Sequence, residues 1–150
     1  MCTFAVLALL GVQLLSLMRA GTGLIGHDYV WFLPRLVEGM LFFKAQGLSI
    51  PYYSAFFCGG FPYHADPQVM FYSLPQLLTL WTDAWSAVQI TAIVFLFLGG
   101  VFSYLFGRSL LKLDPSISFL LAVAFAANGF FRSRFLIGHL TYHAFPLIPV

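Results

Sequence analysis

Charge is what this chain has least of. Only 8% of its 150 residues are Asp, Glu, Lys or Arg, against about 25% in a soluble domain. A water-facing surface cannot be coated with so few, which excludes an ordinary cytosolic enzyme and a disordered tail. Clustered Lys and Arg, which phosphate contacts require, are missing too, so nucleic acid is not a partner. The net charge of +2 steers nothing at long range. Cysteine is nearly absent: Cys2 and Cys58 make no C-x-x-C pair and are too few for a disulfide framework. Cys2 has no lipobox before it. Internal repeats and low-complexity tracts are lacking as well.

What the chain does have is apolar length, with 61% hydrophobic residues. A membrane-spanning helix needs about 20 mainly apolar residues. Residues 2–18 carry no charge, and the run closes at Arg19. A positively charged start and a small-x-small cleavage site are both missing, which favours a retained span over a signal peptide. A second uncharged stretch covers 84–107, and a third covers 115–131, opening on Asp114-Pro115 as cap and first helical residue. The run from Phe135 to Val150 is interrupted by His139, His143 and Pro146, with a fourth span starting at 144–150. The reading is an all-α, polytopic integral membrane protein forming a single membrane domain. Orientation stays open. Arg108 and Lys112 argue that the link between the second and third spans is cytoplasmic, yet Arg19, Arg35, Lys44, Arg132 and Arg134 then lie outside.

The segment 19–83 holds seven of the twelve charged residues, and 14 of the 28 aromatics lie between Tyr29 and Trp81. That composition suits the membrane–water interface, and the expectation is a structured loop with interfacial helices. Leu33, Leu36, Val37, Met40 and Leu41 form a helical stripe, with Pro34 starting or kinking that helix. Pro51, Gly59, Gly60, Pro62 and Pro67 punctuate a structured loop over 47–67. Val69 to Trp81 reads as a shorter helix interrupted at Pro75. Gly21-Thr22-Gly23-Leu24-Ile25-Gly26 spells a dinucleotide fingerprint, but it comes after an uncharged run and lacks the acid about 20 residues on. It reads as the exit from the first span.

Several polar residues stand out. Asp28, beside His27 at the edge of the first span, is either a helix cap or a carboxylate able to deprotonate a hydroxyl or hold a divalent cation. Asp66 before Pro67 is a second such carboxylate, or the acceptor of an Asx turn. His139 and His143 are spaced i, i+4 and share a face if that stretch is helical. Leu140 stands where a metalloprotease motif has Glu, so the pair reads as polar residues at a cavity mouth. Arg132 and Arg134 are either a forked phosphate clamp or headgroup anchors. No cofactor is assigned, and a divalent metal is left open.

The ordered set Gly26-His27-Asp28-Tyr29-Val30-Trp31-Phe32-Leu33-Pro34-Arg35, Ile50-Pro51-Tyr52-Tyr53, Cys58-Gly59-Gly60-Phe61-Pro62, Ala65-Asp66-Pro67-Gln68 and Phe71-Tyr72-Ser73-Leu74-Pro75 resembles the amino-terminal part of the bacterial YfhO-like membrane proteins, which have GT-C architecture. Gly138-His139-Leu140 and Phe145-Pro146-Leu147 resemble the stretch just after the third span of that family. The resemblance implies a multi-pass glycosyltransferase of the bacterial plasma membrane. Its donor would be a polyprenyl-phosphate sugar, and its acceptor a glycan, lipid or polymer at the outer face. It places the loop over 19–83 on the outer side, and implies Asp28 as the catalytic carboxylate and His27, Asp66, Arg132, Arg134 and His139 as substrate-binding residues. The family has more spans than this chain, which is therefore expected to be a fragment, inactive alone. The family's D-x-D pair is absent. Two other classes stay open: a transporter or flippase fragment, disfavoured because the charges gather at span boundaries, and a non-catalytic membrane scaffold, for which Asp28→Asn would change only expression.

Overall fold

A computed structural model describes residues 8–13, 26–49, 51–56, 59–66 and 68–148. Most of the first expected span, Cys2, Cys58, Pro67 and most of the glycine-rich exit lie outside the described residues; 8–13 are helical. The described residues form helices and short turns, with one isolated antiparallel bridge between Ser54 and Phe61 and no strand. Helices α1 (Tyr29–Gln46), α2 (Leu74–Leu78), α3 (Ala84–Ser109), α4 (Pro115–Ala126) and α5 (Gly129–Ile137) are joined by 3-10 turns at Tyr63–Ala65, Leu140–Tyr142 and Phe145–Leu147. Among the described residues two stretches are long and apolar enough to cross a membrane. They are Ala84–Ser109, with mean hydropathy 2.1, and Pro115–Ile137, with 1.4.

The chain divides into two compact units, Val30–Val88 and the remainder, Met1–Tyr29 with Gln89–Val150. Within Val30–Val88 the core is an aromatic cluster of Phe43, Tyr63 and Phe71, flanked by Phe42, Phe61, Val69 and Leu80. Of the aliphatic stripe on α1, Leu36 is buried, Leu33 and Met40 are half-buried and Val37 and Leu41 are exposed, while Phe32 and Phe43 face the core. Phenylalanine rings bring more apolar area, and Gly39 lets Gln76 come close, since a Cβ there would meet its amide. That amide is buried, and its Nε2 donates to the Leu36 carbonyl and to Thr79 Oγ1, each at 3.1 Å. Pro75 opens α2 rather than interrupting a longer helix. Ser73 is its N-cap, accepting from Gln76 N–H, and proline at the first positions gives up no helical bond. Tyr63 donates to the Arg35 carbonyl. Burial, with the nearby Glu38 charge, pushes its hydroxyl up to about 12.

In the other unit, small residues set the helix packing. Ala92, Ser118 and Ala122 are fully buried, and a Cβ on Gly107 would fall 2.9 Å from Ser118 Oγ. Close backbone approach through Gly, Ala and Ser is how helices associate where no water drives them together. The link after α3 is tight: Arg108 Nη1 donates to the Leu113 carbonyl at 2.5 Å, and Lys112 takes the left-handed conformation with φ 55°.

Two local breaks follow. The third apolar run is continuous in composition to Phe131, but its helix breaks after Ala126. Asn128 then caps a new helix by accepting from Phe130 N–H at 2.7 Å. The region expected to start a fourth span holds the 3-10 turn Phe145–Leu147 up to Ile148, with Pro146 near its start. Gly99 of α3 makes room for the Pro146 backbone, which a Cβ would strike.

Candidate functional site

Asp28 lies in the turn immediately before α1, whose N-terminal N–H groups favour a negative charge. Its backbone is fixed by its own N–H donating to the Ile137 carbonyl at 3.1 Å, and by Tyr29 N–H donating to Gly26 O. The Tyr29 hydroxyl donates to the Phe135 carbonyl at 2.5 Å, and burial raises its pKa well above the ordinary tyrosine range. The turn is thereby sewn to the end of α5, within one unit.

α5 stops at Gly138, which has φ 97°, the left-handed conformation that favours glycine. Both Gly138 N–H and His139 N–H donate to the Arg134 carbonyl at 3.1 Å. The glycine also permits contact, since a Cβ would lie 2.7 Å from Tyr29 N. The sharp turn sends His139 back toward Asp28. His139 Nε2 stands 2.5 Å from Asp28 Oδ2, and the two side chains are 26% and 27% exposed.

The other ring nitrogen fixes the tautomer. Arg134 Nη1 lies 2.8 Å from His139 Nδ1, and a guanidinium can only donate. Nδ1 therefore accepts, so the proton sits on Nε2 and is donated to Asp28. Arg134, His139 and Asp28 form one directed chain from cation to carboxylate. Arg134 sits between two rings, with its Cζ 5.0 Å from the Phe130 ring centre and 5.1 Å from that of Tyr142. Both distances are within cation–π range, which an arginine occupies more often than a lysine. Its Nε is buried, with no hydrogen-bond partner among the described residues.

With Asp28 Oδ2 held by His139, Oδ1 has the longer and looser contact. Beside it is His27 Nδ1 at 3.5 Å, on a side chain 84% exposed. The arrangement can accept a proton at Oδ1 from an approaching hydroxyl while His139 holds the carboxylate in place.

Arg132 and Arg134 are separated, two positions apart on α5. Arg132 is exposed and borders a cavity of about 130 Å³ that Leu10, Gln13, Leu96, Phe131 and Phe135 also line. Asp66 belongs to the other unit, where Oδ2 pairs with Arg35 Nη1 at 3.0 Å and Oδ1 accepts Gln68 N–H at 2.8 Å, an Asx turn. His139 and His143 do not share a helix face, because Gly138 ends the α-helix and a 3-10 turn comes next. Nor does His143 open on a cavity mouth. It is 2% exposed, packs edge-on to Phe135 at 4.7 Å, and has no hydrogen-bond partner for either ring nitrogen among the described residues. Burial pushes its pKa down to about 3. No three His, Cys, Asp or Glu side chains converge as a metal site among the described residues.

Residue-type reasoning missed Phe130, Tyr142 and Gly138. The i, i+4 spacing of Phe130 and Arg134 was the available signal for the first, and the glycine between the last helical residue and His139 for the third. Comparison with protein-family models, curated proteins and solved structures finds no match for this chain.

Proposed function

We propose that this chain is part of a multi-pass bacterial plasma-membrane glycosyltransferase of GT-C type. It would take a sugar from a polyprenyl-phosphate donor and pass it to an acceptor hydroxyl at the outer face. The observation that carries the reading is the Arg134–His139–Asp28 chain, which orients one carboxylate oxygen while the other has only the longer contact with the exposed His27. Asp28 Oδ1 takes the acceptor proton as the acceptor oxygen bonds to the anomeric carbon. The bond from that carbon to the donor phosphate oxygen breaks, and its electron pair leaves with the phosphate. Attack from the face opposite the leaving group inverts the sugar carbon. Arg132, exposed on the same helix as Arg134, suits the departing charge. Two apolar stretches of spanning length and charges gathered at their ends agree with chemistry at the membrane boundary.

The test compares wild type with Asp28→Asn in membranes carrying the full-length gene product, at equal expression. Sugar transfer from polyprenyl-phosphate donors is expected to fall about 10²- to 10⁴-fold, the usual share of a general base. Equal transfer by the two proteins would remove Asp28 from the chemistry. No transfer by either, across donors, would favour a transporter or a scaffold.

A further inference from the structure

Within Val30–Val88 lies an open pocket of about 540 Å³, inside the range of about 300–1,000 Å³ typical of small-molecule sites. Among the described residues its lining contains no Asp, Glu, Lys or Arg. With His64 as the one titratable ring beside its tyrosines, the lining suits a polar occupant without a fixed charge. The buried rings of Tyr63 and Phe71 contribute to the wall, while Tyr52 and Tyr72 stand 70% and 59% exposed. Aromatic faces carry partial negative charge and favour the weakly positive C–H bonds of an apolar ring face.

The polar atoms narrow the choice. The hydroxyls of Tyr63 and Tyr72 already donate, to Arg35 O and Leu48 O. The exposed ring of His64 packs edge-on to Tyr52 at 5.3 Å and holds the tyrosine ring in place. Tyr52 and His64 both line the pocket, and their exposed hydroxyl and ring nitrogens can donate and accept hydrogen bonds. A pure hydrocarbon would cover these groups without pairing them, which binding disfavours. A pyranose ring answers both demands, with a C–H face for the tyrosine and a rim of hydroxyls for the polar edge.

We propose that this pocket is a saccharide-binding subsite, with Tyr52 as its stacking platform and His64 as its hydrogen-bonding edge. It rests on the glycosyl-transfer reading for its purpose, as the place that holds the acceptor glycan, but not for its binding chemistry.

The experiment is calorimetric titration of the full chain in an amine-oxide detergent, which brings no sugar of its own. The probes are maltohexaose, cellohexaose and chitohexaose, without any donor. Saturable binding of at least one is expected. Tyr52→Ala, at a side chain too exposed to be needed for folding, is expected to weaken it about tenfold. Tyr52→Phe keeps the ring and should retain most of the affinity, and His64→Ala should lose severalfold. Absence of binding by all three sugars, or binding indifferent to Tyr52→Ala, overturns the subsite. Binding, with no sugar transfer by the wild-type full-length gene product in membranes, would overturn the transferase reading alone.

Discussion

Replacing Gly138 by alanine tests how the Asp28 turn is held. Two costs separate cleanly, because another glycine supplies the control. Gly47 also has positive φ, 67°, but a Cβ there meets nothing within 4 Å. Gly47→Ala therefore reads the left-handed backbone cost alone, about 1–2 kcal/mol, less about 0.4–1 kcal/mol regained from the stiffer unfolded chain. At Gly138 the same backbone cost applies, and the new methyl falls 2.7 Å from Tyr29 N and 2.8 Å from its ring. Tyr29 must move. Its movement strains the bond from its hydroxyl to Phe135 O and that from Asp28 N–H to Ile137 O, each worth about 0.5–1.5 kcal/mol. The total is about 3 kcal/mol for Gly138→Ala, against about 0.5–1 kcal/mol for Gly47→Ala. At about 2–4 °C per kcal/mol, thermal unfolding in detergent should shift down by roughly 10 °C in the first case and a few degrees in the second. Equal shifts for the two variants would refute the idea that Gly138 is held by contact with Tyr29. They would leave only its role as a helix stop.

Acid should destabilise the fold through His143. Its pKa in the folded chain is about 3 and in an unfolded one about 6.5. Its contribution is intact above pH 6.5 and falls by about 1.4 kcal/mol per pH unit as pH drops toward 3; His143→Leu should remove that part of the slope in denaturation measured from pH 7 to 4. Asp66→Asn keeps the oxygen that accepts Gln68 N–H but gives up the charge facing Arg35. It should lower stability by about 1–3 kcal/mol, and an unchanged denaturation midpoint would mean the pair is fully screened. Loss of transfer in Asp28→Asn and loss of saccharide affinity in Tyr52→Ala, each with intact protein, complete the set.

Composition alone exposed the helical class and the apolar stretches, because hydropathy is a sum over many residues and tolerates local error. Local breaks were less legible. The helix stop at Ala126 depends on a single capping side chain, Asn128, inside an otherwise apolar run. Pro75 reads equally well as a breaker or as an opener until Ser73 is seen to cap α2. On α1 the aliphatic stripe was legible, but the packing of Phe43 into the core was not, since its partners Tyr63 and Phe71 lie 20 or more residues away. At the candidate site, Asp28 and His139 were singled out separately, but their contact spans 111 residues and obeys no local rule. The choice between Arg132 and Arg134 was invisible for the opposite reason. Two positions apart on one helix, they point to different surroundings, and the deciding groups are Phe130 and Tyr142.

The break at Asn128 also gives the site a support of its own. α4 has 12 residues and α5 has nine, which is about 18 Å and about 14 Å of helix at 1.5 Å per residue. Arg132 and Arg134 are the fourth and sixth residues of α5, and His139 follows the Gly138 stop, so the site is carried by the short second piece. Loss of the Asn128 cap, which accepts Phe130 N–H, would act on the site through the helix that carries it and alter none of its residues.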